Sequence, residues 1–250
     1  MEMELFYPEV LVTIGSYEFE QGIGIDVYSS ANSYFDWAKV RFTKQFQEKI
    51  SIARRSPARI ELGYDGEFHT VFEGYVVNPY NEGGGQDEIV LKDGMIMLED
   101  TIITNTFLDT TPHELLNYML GKAGISNARL SRKVFPKKVR VPIVRKNAIS
   151  MIQDIHAVWK IQEPFYFVED VFYWGERPEQ SVVYEFVYAE NIITLERSGG
   201  VWELVTVSAP FIRHSHTISV QHPKISGEFT VKKVVFSTTE SGFIRTHIYF

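Results

Sequence analysis

The residues whose type and spacing come nearest to chemistry are the two histidines of 213-RHSH-216. If that stretch is a strand, His214 and His216 project to the same side, and two imidazoles on one side could begin a metal site. A catalytic metal usually takes three protein ligands, so a third would have to come from His69, His222, His247 or a distant carboxylate. Without one, the pair reads as a loop or a half-exposed strand edge. Gly22-Ile23-Gly24 is a lone GxG with no helix behind it, which does not make a dinucleotide fingerprint. No G-x-S-x-G, H-E-x-x-H or S-x-x-K occurs in the chain. Glu61, Glu67 and Glu73 are strand acids. They would resemble a glycosidase pair only at a suitable spatial separation, and a solvated strand face explains them. The aromatic run 165-FYFVEDVFYW-174 could stack a sugar through Tyr173 or Trp174. Such density is otherwise core or protein interface. No residue is therefore assigned a catalytic, cofactor-binding or metal-binding role, and an enzyme is not expected.

Composition narrows the classes further. The 250 residues carry a net charge of −7, which disfavours a general nucleic-acid binder, because such proteins need a cationic surface. With no cysteine at all, disulfides, thiolate metal sites and cysteine nucleophiles are excluded. The start, MEMELFYPEV, has acids where a secretion signal needs a basic segment followed by an apolar run. No run approaches the roughly 20 apolar residues that span a bilayer, so membrane insertion is not expected. Thirteen tyrosines and eighteen phenylalanines favour strands.

Strands are expected at 9-EVLVTIG-15, 39-KVRFTKQF-46 and 88-EIVLKDGMIML-98, and as a hairpin in 58-ARIELGYDGEFHTVFEGYVV-77. A two-residue Asp65-Gly66 turn would put Leu62 opposite His69. A three-residue turn over Tyr64-Asp65-Gly66 would put Leu62 opposite Phe68 and Ile60 opposite Thr70, with Ile60, Leu62, Phe68 and Phe72 on one core-facing side. The second register is preferred, with Arg59, Glu61 and His69 on the wetter face and Gly66 in the left-handed position. The glycine-rich loop 78-NPYNEGGGQD-87 follows. The period then changes. In 111-TPHELLNYMLGKAG-124, Thr111 and Glu114 form a capping box, Pro112 starts a helix, and Leu115, Leu116, Met119, Leu120 and Ala123 share a face before Gly124 stops it. A second helix is expected at 147–160, capped by Asn147 with Ile152, Ile155 and Trp159 inward, and then an aromatic hairpin turning at Glu169-Asp170. The intervening 132-RKVFPKKVRVPIVRK-146 is locally basic and reads as a solvated strand and loop, or as a surface for an anionic partner. From about 179 the pattern is β again, with strands at 182–187, 192–196, 201–207, 217–221, 228–237 and 243–250.

The fold class expected is mainly β with a smaller α+β part: two small β-barrels, over 1–106 and 179–250, bridged by a mixed helix and strand domain over 107–178.

Two segments carry a resemblance to a known family. In RIELGYDGEFHTVFEGYVV followed by DEIVLKDGMIMLED, the element Phe72-Glu73-Gly74-Tyr75-Val76, then Lys92-Asp93 and Met97-Leu98, resembles the first barrel of phage baseplate hub proteins, the late control protein D family. That family includes the hub portion of type VI secretion spikes. In PFIRHSHTISVQHPKISGEFTVKKVVFSTTESGFIRTHIYF, Pro210, Gly227, Phe229, Val231 and Val234 are similar to the family's closing barrel. One departure is His214-Ser215, where the family favours a Pro-Gly turn.

The resemblance implies a structural protein of a phage tail or phage-like contractile injection machine, such as a tailocin. It implies a homotrimeric ring that joins a six-fold tail tube to a three-fold central spike. Partners would be the tube or distal tail protein, the spike, the tape measure protein and other baseplate proteins. The place would be the tail tip or baseplate, assembled in the bacterial cytoplasm, with DNA only passing through a channel, one whose lining would be acidic. On that reading Phe68 and Phe72 are barrel core and loop 78–87 meets a neighbour or the spike. The alternatives are an adaptor that binds carbohydrate or the host surface, and a cell-wall-degrading enzyme.

Overall fold

The computed structural model describes residues 8–43, 50–80, 88–238 and 242–250. In chain order the elements are β1 (Pro8–Ile14), β2 (Tyr17–Phe19), β3 (Ile23–Ser30), β4 (Trp37–Phe42), β5 (Pro57–Tyr64), β6 (Glu67–Val76), β7 (Glu88–Lys92), α1 (Met95–Asp100), β8 (Ile102–Thr110), α2 (Pro112–Ala123) and β9 (Ala128–Leu130). There follow β10 (Lys138–Asn147), α3 (Ala148–Trp159), β11 (Phe165–Val168), β12 (Val171–Trp174), β13 (Tyr184–Val187), β14 (Thr194–Ser198), β15 (Val201–Val207), β16 (Thr217–His222), β17 (Ile225–Thr230), β18 (Lys233–Thr238) and β19 (Ile244–Tyr249). The fold is mainly β with a smaller α+β part. The chain divides into two compact units, Met1–Asp93 with Pro178–Phe250, and Gly94–Arg177.

The first unit is built on an eleven-stranded sheet ordered β14-β15-β19-β18-β3-β4-β7-β6-β5-β1-β2, beside a three-stranded sheet β13-β16-β17. The segments read from sequence as two barrels are joined here by one ladder, in which β18 pairs antiparallel with β3 from Lys233 opposite Ser30 to Ser237 opposite Asp26. One cluster of buried side chains draws on both segments, with Val12, Ile25, Val40, Leu62 and Leu91 from the first and Leu204, Val220, Val234, Phe236 and Ile248 from the second.

The 58–77 hairpin forms, but not in the expected register. Tyr64 faces Glu67 and Leu62 faces His69, so the turn is the two-residue Asp65-Gly66, with both residues at positive φ, 50° and 81°. That is the turn whose twist matches the strands it joins. An irregularity between Ile60 and Glu61 then returns Ile60 to Phe72. Val71 is the extra residue there, and Val71 and Phe72 are both buried. The consequence is a correction to the expected core. Ile60, Leu62 and Phe72 are inside, while Phe68, near the tip, is 38% exposed. Loop 78–87 lies outside the described residues from 81 onward, as do positions 44–46 of the expected strand 39–46.

A second correction falls at 88–98. The strand ends at Lys92, and Met95–Asp100 is a helix. A helical turn lets Met95, Ile96 and Leu98 all face inward, whereas a strand would split adjacent residues between two faces. Gly94 precedes it where a Cβ would lie 2.5 Å from the Phe167 ring.

In the second unit the helices form as read. Glu114 Oε2 accepts from the Thr111 N–H at 2.7 Å, the Thr111 side chain accepts from Glu114 N–H, and Gly124 ends α2 at φ 76°. Asn147 Oδ1 accepts from the Ser150 N–H at 2.8 Å at the start of α3. Strands β11 and β12 pair about Glu169-Asp170, from Phe165 opposite Trp174 to Val168 opposite Val171.

Candidate functional site

The histidine pair does not lie on a strand. Residues 213–216 make a turn in which Ser215 holds φ at 68°. This is the left-handed backbone that a Pro-Gly turn would supply through its glycine. His216 Nδ1 accepts from the Arg213 N–H at 3.2 Å, and burial, followed by the nearby Arg213 charge, pushes its pKa down to about 4. His214 is fully buried, with Nε2 4.0 Å from Asp36 Oδ2 and Nδ1 3.1 Å from Ser215 Oγ.

Asp36 joins His214 to Asp93 in a buried polar knot. The loop between β3 and β4 supplies Asp36, whose Oδ1 accepts from the Ser30 N–H at 2.9 Å. Its own N–H donates to Asp93 Oδ2 at 2.7 Å, and its carbonyl accepts from the Asp93 N–H at 3.1 Å. Asp93 follows β7 and is buried. With a side chain only 15% exposed, Asp36 has its carboxyl pushed up to about 7. The main cause is loss of water; hydrogen bonds from Ser29 and Ser30 and the charge of Arg213 pull the other way. Arg213 itself donates to the carbonyls of Pro210, at 2.5 Å, and of Thr70. The knot thus ties the β3–β4 loop, the end of β7 and the turn before β16. It can take up and release a proton. It offers no activated nucleophile, and among the described residues no group of three or more His, Cys, Asp or Glu could hold a metal. Nothing local in the sequence points to Asp36 as the neighbour of His214, or to Asp93 as the partner of Asp36.

The other histidines are engaged elsewhere. His69 packs edge-on to Phe211, His222 edge-on to Tyr188, and His247 Nδ1 lies 2.9 Å from Glu203 Oε1, which also accepts from the Tyr249 hydroxyl at 2.7 Å. Glu73 pairs with Arg59 at 2.9 Å and Glu61 accepts from Thr70 at 3.4 Å, while Glu67 stands exposed at the hairpin tip. Gly22-Ile23-Gly24 leads into β3, not into a helix. The aromatic run is core. Trp174 is fully buried and its Nε1 donates to His156 Nε2 at 2.8 Å, Phe165, Tyr166, Phe167 and Phe172 are also buried, and Tyr173 is half-buried against Tyr166. Trp174 cannot therefore serve as an outward stacking platform.

Much of the basic segment is exposed to solvent. Strands β8 and β10 form a two-stranded ribbon in which Arg140 faces Leu108, Val141 faces Phe107 and Pro142 faces Thr106. Lys133 pairs with Glu163 at 2.8 Å, Lys137 with Asp109 at 3.2 Å, and Lys146 with Asp154.

No family model matches this sequence, and no curated protein matches it. Its fold, however, recurs in solved structures. The 43 kDa tail protein of prophage MuSo2 from Shewanella oneidensis superposes with a TM-score of 0.72 at 11% identity, over 98% of both chains. A tail protein from Neisseria meningitidis MC58 gives 0.67 at 11% identity, over 98% of this chain and 96% of that one. The E. coli c3393 protein is described as a component of the type VI secretion system with structural similarity to the T4 bacteriophage tail proteins gp27 and gp5. It gives 0.68 at 10% identity, over 95% of this chain and 75% of that one. The chain thus has a fold shared with phage tail proteins and a type VI secretion component.

Proposed function

We propose that this chain is a structural hub of a phage tail or phage-like injection machine. Three copies would close a ring that joins a six-fold tail tube to a three-fold central spike. The observation that carries the reading is the end-to-end likeness to a prophage tail protein, 98% of each chain at a TM-score of 0.72. The buried state of the polar knot and of the aromatic run agrees with a role in shape and assembly rather than in turnover. Partners on this reading are the tube or distal tail protein, the spike, the tape measure protein and neighbouring baseplate proteins. Its place is the tail tip, after assembly in the bacterial cytoplasm, and DNA would meet the ring only in passage.

The test is solution mass by light scattering across a concentration series, for the chain alone and co-expressed with the spike protein of the same gene cluster. A trimer under either condition is the expected result, since closed rings of identical subunits follow their rotational symmetry. A stable dimer, or a chain that remains monomeric with the spike present, would overturn the hub reading.

A further inference from the structure

The ribbon of β8 and β10 combines three features that a merely solvated surface does not need. The first is charge. Between residues 131 and 147 lie Arg132, Lys133, Lys137, Lys138, Arg140, Arg145 and Lys146, and no acid, in a chain whose net charge is −7. Among the described residues Lys138, Arg140 and Arg145 have no carboxylate partner. The second is exposed aliphatic surface among those charges, with Val139 84%, Leu108 70% and Val144 66% exposed. The third is backbone. In its sheet β10 pairs with β8 alone, and beside it runs a groove of about 260 Å³ lined by Arg140, Val141, Ile143, Ala157 and Val158, with Asp154 also lining it and bridged by Lys146.

We infer that this ribbon is a docking surface for an extended protein segment that alternates acidic and aliphatic residues, laid along β10. An extended segment can add to an open sheet edge through its main chain, while alternate side chains fill pockets. The ladder would be short, because Pro142 has no N–H to give and the strand shifts register between Ile143 and Lys146. Side chains would carry the remainder: carboxylates toward Lys138, Arg140 and Arg145, aliphatics onto Val139, Val144 and the groove floor. A second copy of the same ribbon is disfavoured, since cations would face cations. Nucleic acid would use the charges but gain nothing from the exposed valines and Leu108. The inference rests on the second unit alone and does not depend on the hub reading.

The experiment titrates the full chain into a fluorescein-labelled peptide of about eight alternating glutamate and valine residues, the length of an ordinary strand or slightly more, and reads anisotropy. Lysine–valine and glutamine–valine peptides and a single-stranded DNA oligonucleotide serve as comparisons. The expected result is saturable binding of the acidic peptide that weakens with added salt. In the parent protein new protection from amide exchange should be confined to 138–145, and affinity should fall at least tenfold in the double variant Lys138→Glu, Arg140→Glu. Arg140→Gln alone, which only removes a charge, should weaken binding less and leaves the test intact if the double variant unfolds. Equal binding of all three peptides, protection elsewhere, DNA bound as tightly as the acidic peptide, or a mass that falls on substituting Arg140 would each overturn the assignment. The last would mean that the ribbon joins copies of this chain.

Discussion

At the residue scale, two neighbouring phenylalanines separate core from surface. Phe72 is buried opposite Ile60, while Phe68 is half in water near the turn. Truncation of Phe72 to alanine removes a buried ring and leaves a cavity, and it should cost about 3–5 kcal/mol. The same change at Phe68 should cost well under half of that. Urea denaturation of both variants checks this, and equal losses would contradict the burial pattern. The polar knot gives a sharper expectation, because two groups that sense the Arg213 charge, Asp36 and His216, are shifted in opposite senses. Asp36 holds its proton to about pH 7 in the folded state but only to the ordinary carboxylate range when unfolded. Its contribution is therefore fully present below about pH 4 and is lost as pH rises to 7, by at most about 1.4 kcal/mol per pH unit. His216 stays neutral in the fold down to about 4, so its contribution is present above the ordinary histidine range and is lost as pH falls toward 4. Between pH 4.5 and 6.5 the two slopes oppose each other. The parent protein should show a shallow dependence of stability on pH in that window. Asp36→Asn should leave stability rising with pH, and His216→Gln should leave it falling. Parallel curves for all three proteins would show that neither group titrates as its burial demands.

At the element scale, what could be read from sequence follows how local the cause is. Helix α2 was legible because its stop and start signals lie within one turn of its ends: Thr111, Pro112 and Glu114 at one, Gly124 at the other. Helix α3 was legible through Asn147 for the same reason. The register of the β5–β6 hairpin was not, because it depends on where the ladder absorbs an extra residue, and Val71 carries no mark that distinguishes it from its neighbours. The short α1 was read as strand because six residues give too little periodicity to tell 3.6 from 2. Strand β6 also contains a position that turns on backbone approach. A Cβ at Gly74 would lie 2.3 Å from the Lys92 carbonyl oxygen, at the point where β6 meets β7. Gly74→Ala must therefore move one strand off the other and should cost about 1–3 kcal/mol, as overpacking does. Gly66→Ala meets open space and suffers only its φ of 81°, about 1–2 kcal/mol for a left-handed non-glycine. Amide exchange should separate the two: the Gly74 variant loses protection across β6 and β7, while the Gly66 variant loses it only at the tip. Loss confined to the substituted residue in both would mean that β6 and β7 do not pack closely at Gly74.

At the scale of the whole molecule, the feature hardest to read from sequence is the ladder between β18 and β3, whose partners lie about two hundred residues apart, as Lys233 does from Ser30. Both strands have the short alternating pattern of any half-buried strand, and nothing in either names the other. Reading them apart gives two barrels; pairing them gives one sheet and one core that the intervening unit interrupts in sequence. The consequence for stability is specific. A fragment of residues 1–106 keeps β1 to β7 but loses β18 from the edge of β3, and with it Val234, Phe236, Leu204 and Ile248 from the shared core. It should show no cooperative urea transition by circular dichroism, because it leaves a long edge open and much of its apolar surface in water. Addition of residues 178–250 in trans should restore a cooperative transition, since the missing strands bring their own halves of the ladder and core. Residues 94–177, which hold α1 to α3 and the aromatic hairpin β11–β12 around buried Met119, Ile152, Phe172 and Trp174, should unfold cooperatively alone. If instead 1–106 folds unaided and gains nothing from 178–250, the β18–β3 ladder is incidental. The two outer segments would then be independent domains in contact, as the sequence pattern alone suggests.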